Sequence, residues 1–275
     1  MIDKATKELL LPQVVNAAIA AGAAIMQHYN ACQNSDQTKH VIGAANQAAQ
    51  NAIKEALGPT RIPILSEEGR EMLFEERQNW EMFWLVDPLD GTREFINKTN
   101  EFTVNIALMY HGEPIASVIY VPYLKKLYFA SEGLGAHLKC DIEPQSDPNL
   151  TLETILEACQ QLPLATAPRQ TQHIALSRSH TTPETLQHVE EIRKRNPDIK
   201  LVEQGSSYKF CMLAEGAVEY YIRTSETFEW DTAAGELILA EAGGKTHSTE
   251  REKLAYNKEN LQNPWFICHS KFSQL

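Results

Sequence analysis

The segment Trp84-Leu-Val-Asp-Pro-Leu-Asp-Gly-Thr-Arg-Glu-Phe95 constrains this chain more than any other. Its apolar lead, Phe83 to Val86, predicts a buried strand. The following Asp-Pro-Leu-Asp-Gly-Thr is turn chemistry, which predicts that the strand stops there and exposes Asp87 and Asp90 at its end. Two carboxylates held together beside an apolar run call for a cation, and hard oxygen ligands suit Mg²⁺. Aspartates also cap turns and start helices, so this pair alone leaves both readings open.

Two other segments weigh on the choice. Ile62-Pro-Ile-Leu-Ser-Glu-Glu ends another apolar run with Glu67 and Glu68, and Glu229-Trp-Asp-Thr-Ala-Ala-Gly places Asp231 just ahead of a small-residue helix expected from about residue 232 to 242. Acids at three such ends, each flanked by apolar residues, exceed what capping requires.

Together these segments resemble the magnesium-dependent, lithium-sensitive phosphatase superfamily that includes inositol monophosphatase and fructose bisphosphatase. Its three signatures stand here as SEE at 66–68, DPLDGT at 87–92 and WDTAAG at 230–235, in the family order. LSEE, FWLVDPLDGTREF and EFTVNIAL, together with SRSH at 177–180 and GSSYKF at 205–210, are similar to the bacterial 3′(2′),5′-bisphosphate nucleotidases of the CysQ type. The resemblance implies a layered α/β (α+β) sandwich of two lobes with the metal site between them; pattern alone gives only α/β or α+β. It also implies Mg²⁺-dependent removal of the 3′-phosphate of adenosine 3′,5′-bisphosphate to give AMP, with lithium inhibition. An inositol monophosphatase is the nearest enzymatic alternative.

Composition narrows the class. A chain of 275 residues with 43% hydrophobic content can bury a sizeable core, and its formal net charge of −11 argues against a general nucleic-acid or anionic-membrane surface. The five cysteines, Cys32, Cys140, Cys159, Cys211 and Cys268, show no CxxC spacing, which predicts free thiols in a reducing compartment and no zinc site. The start lacks a signal-peptide pattern and no transmembrane segment is expected. A cytoplasmic protein follows, with peripheral contact to the inner membrane allowed by the resemblance. The oligomeric state is open.

Helices are expected at 5–30 and 44–57, the second burying Ala44, Ala48, Ala52 and Ile53. Strands are expected near 62–65, 83–86, 102–110, 114–120 and 126–130, with a hairpin turn at His111-Gly112. A composition shift between Cys140 and Arg169 marks the lobe boundary: residues 1–140 carry SEE and DPLDGT, and 141–275 carry SRSH, GSSYKF and WDTAAG. The second lobe reads strand 173–176, helix 182–195, strand 200–203, helix 207–215, strand 218–222 and helix 232–242.

Residue by residue, the resemblance implies that Glu67, Asp87, the Leu89 carbonyl, Asp90 and Asp231 hold two or three Mg²⁺ ions. Gly91 and Thr92 begin a backbone cradle for phosphate, and the Thr92 hydroxyl orients water. Ser177, His180, Gly205, Ser207 and Lys209 fall in loops placed around the nucleotide, and Arg223 is a candidate for the phosphate that does not react, since guanidinium matches phosphate oxygens. The chain departs from the pattern at one catalytic position. Where relatives carry KxDxSPVTxAD ahead of a helix, this sequence runs Asp36 to Asn46, with Gly43 for threonine, no Ser-Pro pair, and Asn46 in place of the aspartate that partners the threonine. An amide can hydrogen-bond Thr92 but cannot accept a proton at neutral pH. Three readings stay open: a slower enzyme that needs no strong base, recruitment of another acid such as Asp36 or Glu68, or a catalytically weak nucleotide binder.

Overall fold

Phe83 through Leu89 are all buried, as a strand covered on both faces requires. In a computed structural model describing residues 4–31, 38–143 and 150–274, this strand is the second of a seven-stranded sheet. Its strands are β1 (Ile64–Ser66), β2 (Met82–Asp90), β3 (Thr103–Tyr110), β4 (Glu113–Val121), β5 (Lys126–Ser131), β6 (Gly135–Lys139) and β7 (Gln160–Gln161), neighbours in chain order. Only β1 and β2 pair in parallel. Alternation along the strands feeds two cores: Trp84, Val86, Ile106, Leu108 and Val118 point one way, while Phe83, Leu85, Ala107, Met109 and Ile119 point the other.

The first face is covered by α1 (Lys4–Ala31) and α2 (Thr38–Leu57). Leu9–Asn30 of α1 is long and apolar enough to cross a membrane, but 61% of its most apolar window is buried inside the fold, against α2 and the sheet. Gly22 makes that close approach feasible, because a Cβ there would lie 2.6 Å from the Tyr120 ring carbon Cδ1. The second face packs on α7 (Tyr208–Glu215) and α8 (Glu229–Glu241), beyond which lies a five-stranded sheet. That sheet contains β8 (Gln172–Ser177), β9 (Ile199–Gln204), β10 (Tyr220–Arg223), β11 (Lys245–Ser248) and β12 (Phe266–His269) in the order β11-β12-β10-β8-β9. The outermost helix, α6 (Pro183–Arg195), buries Val189 and Ile192 against Ile174, Leu176, Tyr220 and Ile222. Three short helices, α3 (Phe74–Arg77), α4 (Thr92–Ile96) and α5 (Leu152–Leu156), fill connections. The result is a helix–sheet–helix–sheet–helix sandwich, the layered α/β class expected.

Being clamped between two sheets explains the small residues of α8. A Cβ on Gly235 would sit 2.3 Å from the Phe210 ring, and the carbonyl of Ala234 accepts from Ser117 Oγ at 3.1 Å. The helix begins at Glu229, not near 232, so Asp231 lies within its first turn. The α2 helix likewise begins at Thr38 rather than 44, since no proline interrupts it and Gly43 has open space around it. Its buried face is also turned from the expected one, running through Ala45, Asn46, Ala49, Gln50 and Ile53. The division at residue 140 does not coincide with the end of the first sheet, because β7 pairs with β6 through Gln160 and Gln161.

Candidate active site

The Asp-Pro-Leu-Asp stretch does not end β2 as the turn chemistry suggested. The strand continues to Asp90 through an irregularity in which Asp87 pairs with Asn105 and Asp90 with Thr103 of β3. Pro88, which has no N–H to give a ladder, sits inside this bulge. Asp87 is therefore buried rather than exposed, with Oδ1 accepting the Leu89 N–H at 3.0 Å and Oδ2 facing the Asn105 amide at 3.5 Å. Leu89 is buried behind it. The bulge turns Asp90 toward a cleft, where its Oδ2 accepts the backbone N–H of Ser207.

Asp231 reaches the same place from the other side of the core. As the third residue of α8 it accepts the Phe228 N–H at 2.8 Å, which fixes the carboxylate at the helix start. One carboxylate oxygen from each of Asp87, Asp90 and Asp231 lies within 4.8 Å of the others. Glu67 follows β1, its N–H donating to the Val86 carbonyl at 3.1 Å and so continuing the parallel pairing beside Asp87. Burial and mutual repulsion push the carboxyls of Asp87 and Asp231 well above the usual range, and Asp90 is also raised, by burial that Lys209 partly offsets. Glu67 is exposed and lies outside this three-aspartate cluster; desolvation by the surrounding protein and the charges of Asp90 and Glu68 push it up to about 7, against the pull of its hydrogen bond with Asp87.

The opposite wall is cationic. Arg223, at the end of β10, donates from Nη1 to Ser177 Oγ at 3.1 Å and from Nη2 to the Glu226 carbonyl at 3.0 Å, while its buried Nε has no partner. Among the described residues it forms no salt bridge, so a surface ion pair does not account for it. Adjacent parallel strands β8 and β10 bring Ser177 and Arg223 together. His180 follows, its Nδ1 3.5 Å from Ser177 Oγ, and partial burial with Arg223 and Arg93 nearby lowers its pKa.

Several of the expected nucleotide-side residues are engaged internally. Lys209 is buried, its Nζ donating to the carbonyls of Gln204 and Ser206, and burial with the charge of Arg223 lowers it to about 8. Ser207 gives its N–H to Asp90 and its Oγ to Asn105 Oδ1 at 2.6 Å. Gly205 gives its N–H to Glu101 Oε2 at 2.8 Å, and Arg178 holds the same carboxylate through two bonds of 2.9 and 2.8 Å. SRSH and GSSYKF thus build the frame that joins the two sheets at the cleft, in addition to lining it.

Gly91 adopts φ +89° at the start of α4, and it opens the cleft lining of Gly91, Thr92, Arg93 and Glu94. Asn46 does not accept a hydrogen bond from Thr92: its side chain is buried, and among the described residues neither its Oδ1 nor Nε2 of Gln50, one turn later, has a partner. Asp36 lies outside the described residues, and Glu68 is exposed. Sequence reasoning missed Glu94, Tyr221, Thr227 and Phe266 in the lining. Glu94 was readable in principle, since an acid two residues after Thr92 on a short helix shares its end of the cleft; the other three depend on how β10, β12 and α8 meet.

The profile of the Inositol monophosphatase family matches residues 7–265, and the chain belongs to that family. Among its relatives is the 3′(2′),5′-bisphosphate nucleotidase CysQ of Salmonella typhimurium, 38% identical over 264 residues, which cover 94% of this chain and 98% of that protein. The crystal structure of CysQ from Bacteroides thetaiotaomicron, described as a bacterial member of the inositol monophosphatase family, superposes with a TM-score of 0.91 at 41% identity, covering 96% of this chain and 98% of that one. The suhB protein of Bartonella henselae, at 22% identity and a TM-score of 0.71, shares the fold.

Proposed function

We infer that this chain is a Mg²⁺-dependent 3′(2′),5′-bisphosphate nucleotidase that hydrolyses the 3′-phosphate of adenosine 3′,5′-bisphosphate, giving AMP and phosphate. The observation that carries this reading is a cleft with two unlike walls: Asp90 and Asp231, crowded against buried Asp87 behind them, face the Arg223 guanidinium, which has no carboxylate partner among the described residues. A substrate with two phosphates matches both. The nucleotidase names of the CysQ relatives support the same reading.

The donor set fits a hard divalent cation, because it consists of crowded carboxylate oxygens whose mutual repulsion Lys209 and Arg223 offset only in part. Glu67, Asp87, the Leu89 carbonyl, Asp90 and Asp231 would hold two or three Mg²⁺ ions, with lithium competing at one position. Bound there, the metal supplies Lewis-acid charge to phosphoryl oxygens and lowers the pKa of a water. The chain does the rest. Thr92 and the backbone opening α4 orient the reacting phosphate, while Arg223, braced by Ser177 and the Glu226 carbonyl, takes the retained one. The cavity of the cleft is about 130 Å³, below the ~300–1,000 Å³ of pockets that engulf a drug-sized ligand, so the nucleoside would extend from it toward solvent. We place the protein in the cytoplasm, where the free cysteines described here stay reduced. With α1 packed into the core, the inner-membrane contact finds no support among the described residues.

Asn46 motivates a second reading, a nucleotide binder with little turnover, because its Oδ1, without a partner among the described residues, is an acceptor that cannot take a proton. Phosphate release from adenosine 3′,5′-bisphosphate and from inositol 1-phosphate, measured with Mg²⁺ for the native chain and for Asn46→Asp, separates these. Native turnover of the bisphosphate above inositol 1-phosphate is expected. Asn46→Asp should raise it, within the ~10²–10⁴-fold worth of a positioned base. Mg²⁺-dependent binding with no release from either protein would leave the binder.

A further inference from the structure

A second cavity, of about 590 Å³, opens between the C-terminal half of α6 and the strands β11 and β12. Arg195, Lys245, His247, Arg251, His269 and Lys271 line it, and the one carboxylate among its described lining residues, Glu191, lies 3.8 Å from His188. Among the described residues none of the four lysine and arginine side chains forms a salt bridge. Ordinary structural roles explain two of them singly. Arg195 complements the C-terminal dipole of α6, and a lysine on the edge strand β11 discourages edge-to-edge pairing. Neither role explains why Arg251 and Lys271 converge on the same cavity in a chain of net charge −11.

The histidines report the resulting field. His247 Nδ1 lies 2.7 Å from the Ser248 carbonyl, which can only accept, so Nδ1 carries the proton and Nε2 is the acceptor that faces His269 Nε2 at 2.9 Å. The two rings stack at 4.9 Å. Burial, with His247 beside it and the positive charges of Arg251 and Lys245 nearby, holds His269 down to about 4. A cation would meet the same repulsion, whereas an anion would relieve it. The cavity volume falls in the ~300–1,000 Å³ range of small-molecule sites, and the cations ring a pocket rather than follow a groove.

We propose that this cavity is a second, non-catalytic site for a small anion carrying more than one phosphate charge. It is independent of the reaction assigned to the cleft. The test is calorimetric titration of the full chain with inorganic pyrophosphate in EDTA, which denies the aspartates a metal through which to bind the probe. Native protein, Lys245→Gln/Arg251→Gln and Arg223→Gln are compared, and ring resonances of isotope-labelled histidine are followed in native protein. One saturable site is expected, weakened at least tenfold in the double variant and unchanged in Arg223→Gln, with the resonances of His247 and His269 moving and that of His180 still. Unaltered phosphate release by the double variant shows that it is folded. Absence of saturable binding at millimolar pyrophosphate overturns the proposal, as does binding that survives in the double variant or is lost in Arg223→Gln.

Discussion

The two walls of the cleft are held by different means. Each aspartate of the acidic wall is fixed by a nearby or facing backbone N–H, from Leu89, Ser207 and Phe228, on a central strand and a helix that are both clamped between layers. The cationic wall is fixed by side chains and carbonyls at the ends of β8 and β10, with Arg223 resting on one hydroxyl and one carbonyl. The walls are near enough that the guanidinium lowers the pKa of Asp231, yet they do not pair. Backbone donors hold a repelling cluster in place before its cation arrives. A guanidinium on a neutral brace keeps its charge uncompensated by the brace.

Removing one acid should therefore have the largest effect. Asp90→Asn keeps an oxygen for the Ser207 N–H but removes a charge from the cluster, and phosphate release should fall about 10³-fold, on the scale of losing a group that stabilises transition-state charge. Without metal, the melting temperature should hold or rise, because repulsion is relieved. The increase that Mg²⁺ gives the native protein should disappear. Retention of more than a tenth of native activity would show that this wall is not the metal holder.

On the other wall, Arg223→Gln removes charge-assisted hydrogen bonds worth ~1.5–3 kcal/mol, so KM for adenosine 3′,5′-bisphosphate should rise by roughly 10- to 100-fold. The Mg²⁺-induced thermal shift should remain. With 3′-AMP, which lacks the second phosphate, the native enzyme and the variant should differ little. Equal losses on the two substrates would reduce Arg223 to a structural brace.

This contrast also explains what could be read from the sequence. The acidic wall lies in two short segments, and apolar runs punctuated by acids announce it; the strands from β2 to β5 followed from the same alternation. What failed there was local. DPLD looked like a turn because Pro and Gly usually make one, but cross-strand pairing to Asn105 and Thr103 carried the strand through a bulge and buried Asp87. The cationic wall needs strand order, which one sequence does not display. Ser177 and Arg223 meet only because β8 and β10 are neighbours, and Tyr221 and Phe266 enter the lining because β10 also lies beside β12. The strands β6, β7, β11 and β12 also escaped notice: each has two to five residues, too few for the alternation of β6 and β12 to stand out, and β7 is exposed.

Gly205 tests how tightly the cationic wall depends on its packing against Glu94. A Cβ there would fall 2.2 Å from Cγ of buried Glu94, whose carboxylate accepts from Ser179 Oγ at 2.8 Å. Gly205→Ala should cost ~1–3 kcal/mol from overpacking and lower the melting temperature by ~2–4 °C per kcal/mol. KM for the bisphosphate should rise while the Mg²⁺ shift stays. Loss of the Mg²⁺ shift instead would mean that the walls are not separable.

The smallest effect separates a site acid from a merely buried one on the same helix. Asp231 opens α8 at the cleft, whereas Glu236 lies further along it, buried, with its carboxylate accepting from the Tyr256 hydroxyl. Burial raises Glu236 from the ordinary 4.5 to about 7, although the Tyr256 bond opposes the shift. A carboxyl raised on folding contributes stability that is fully present below its unfolded pKa and is lost as pH rises through its folded one. For Glu236 that window runs from about pH 4.5 to 7. Glutamine keeps an acceptor for Tyr256 and has no proton to lose, so Glu236→Gln should gain on the native protein between pH 5 and 8, by a few kcal/mol at most. Denaturant midpoints at the two pH values, with EDTA and with Mg²⁺, measure this. The gain should be the same with and without metal, since Glu236 faces Tyr256 and not the cleft. A gain that vanishes on adding Mg²⁺ would place Glu236 in the acidic wall, and a gain equal at both pH values would remove its titration from the account.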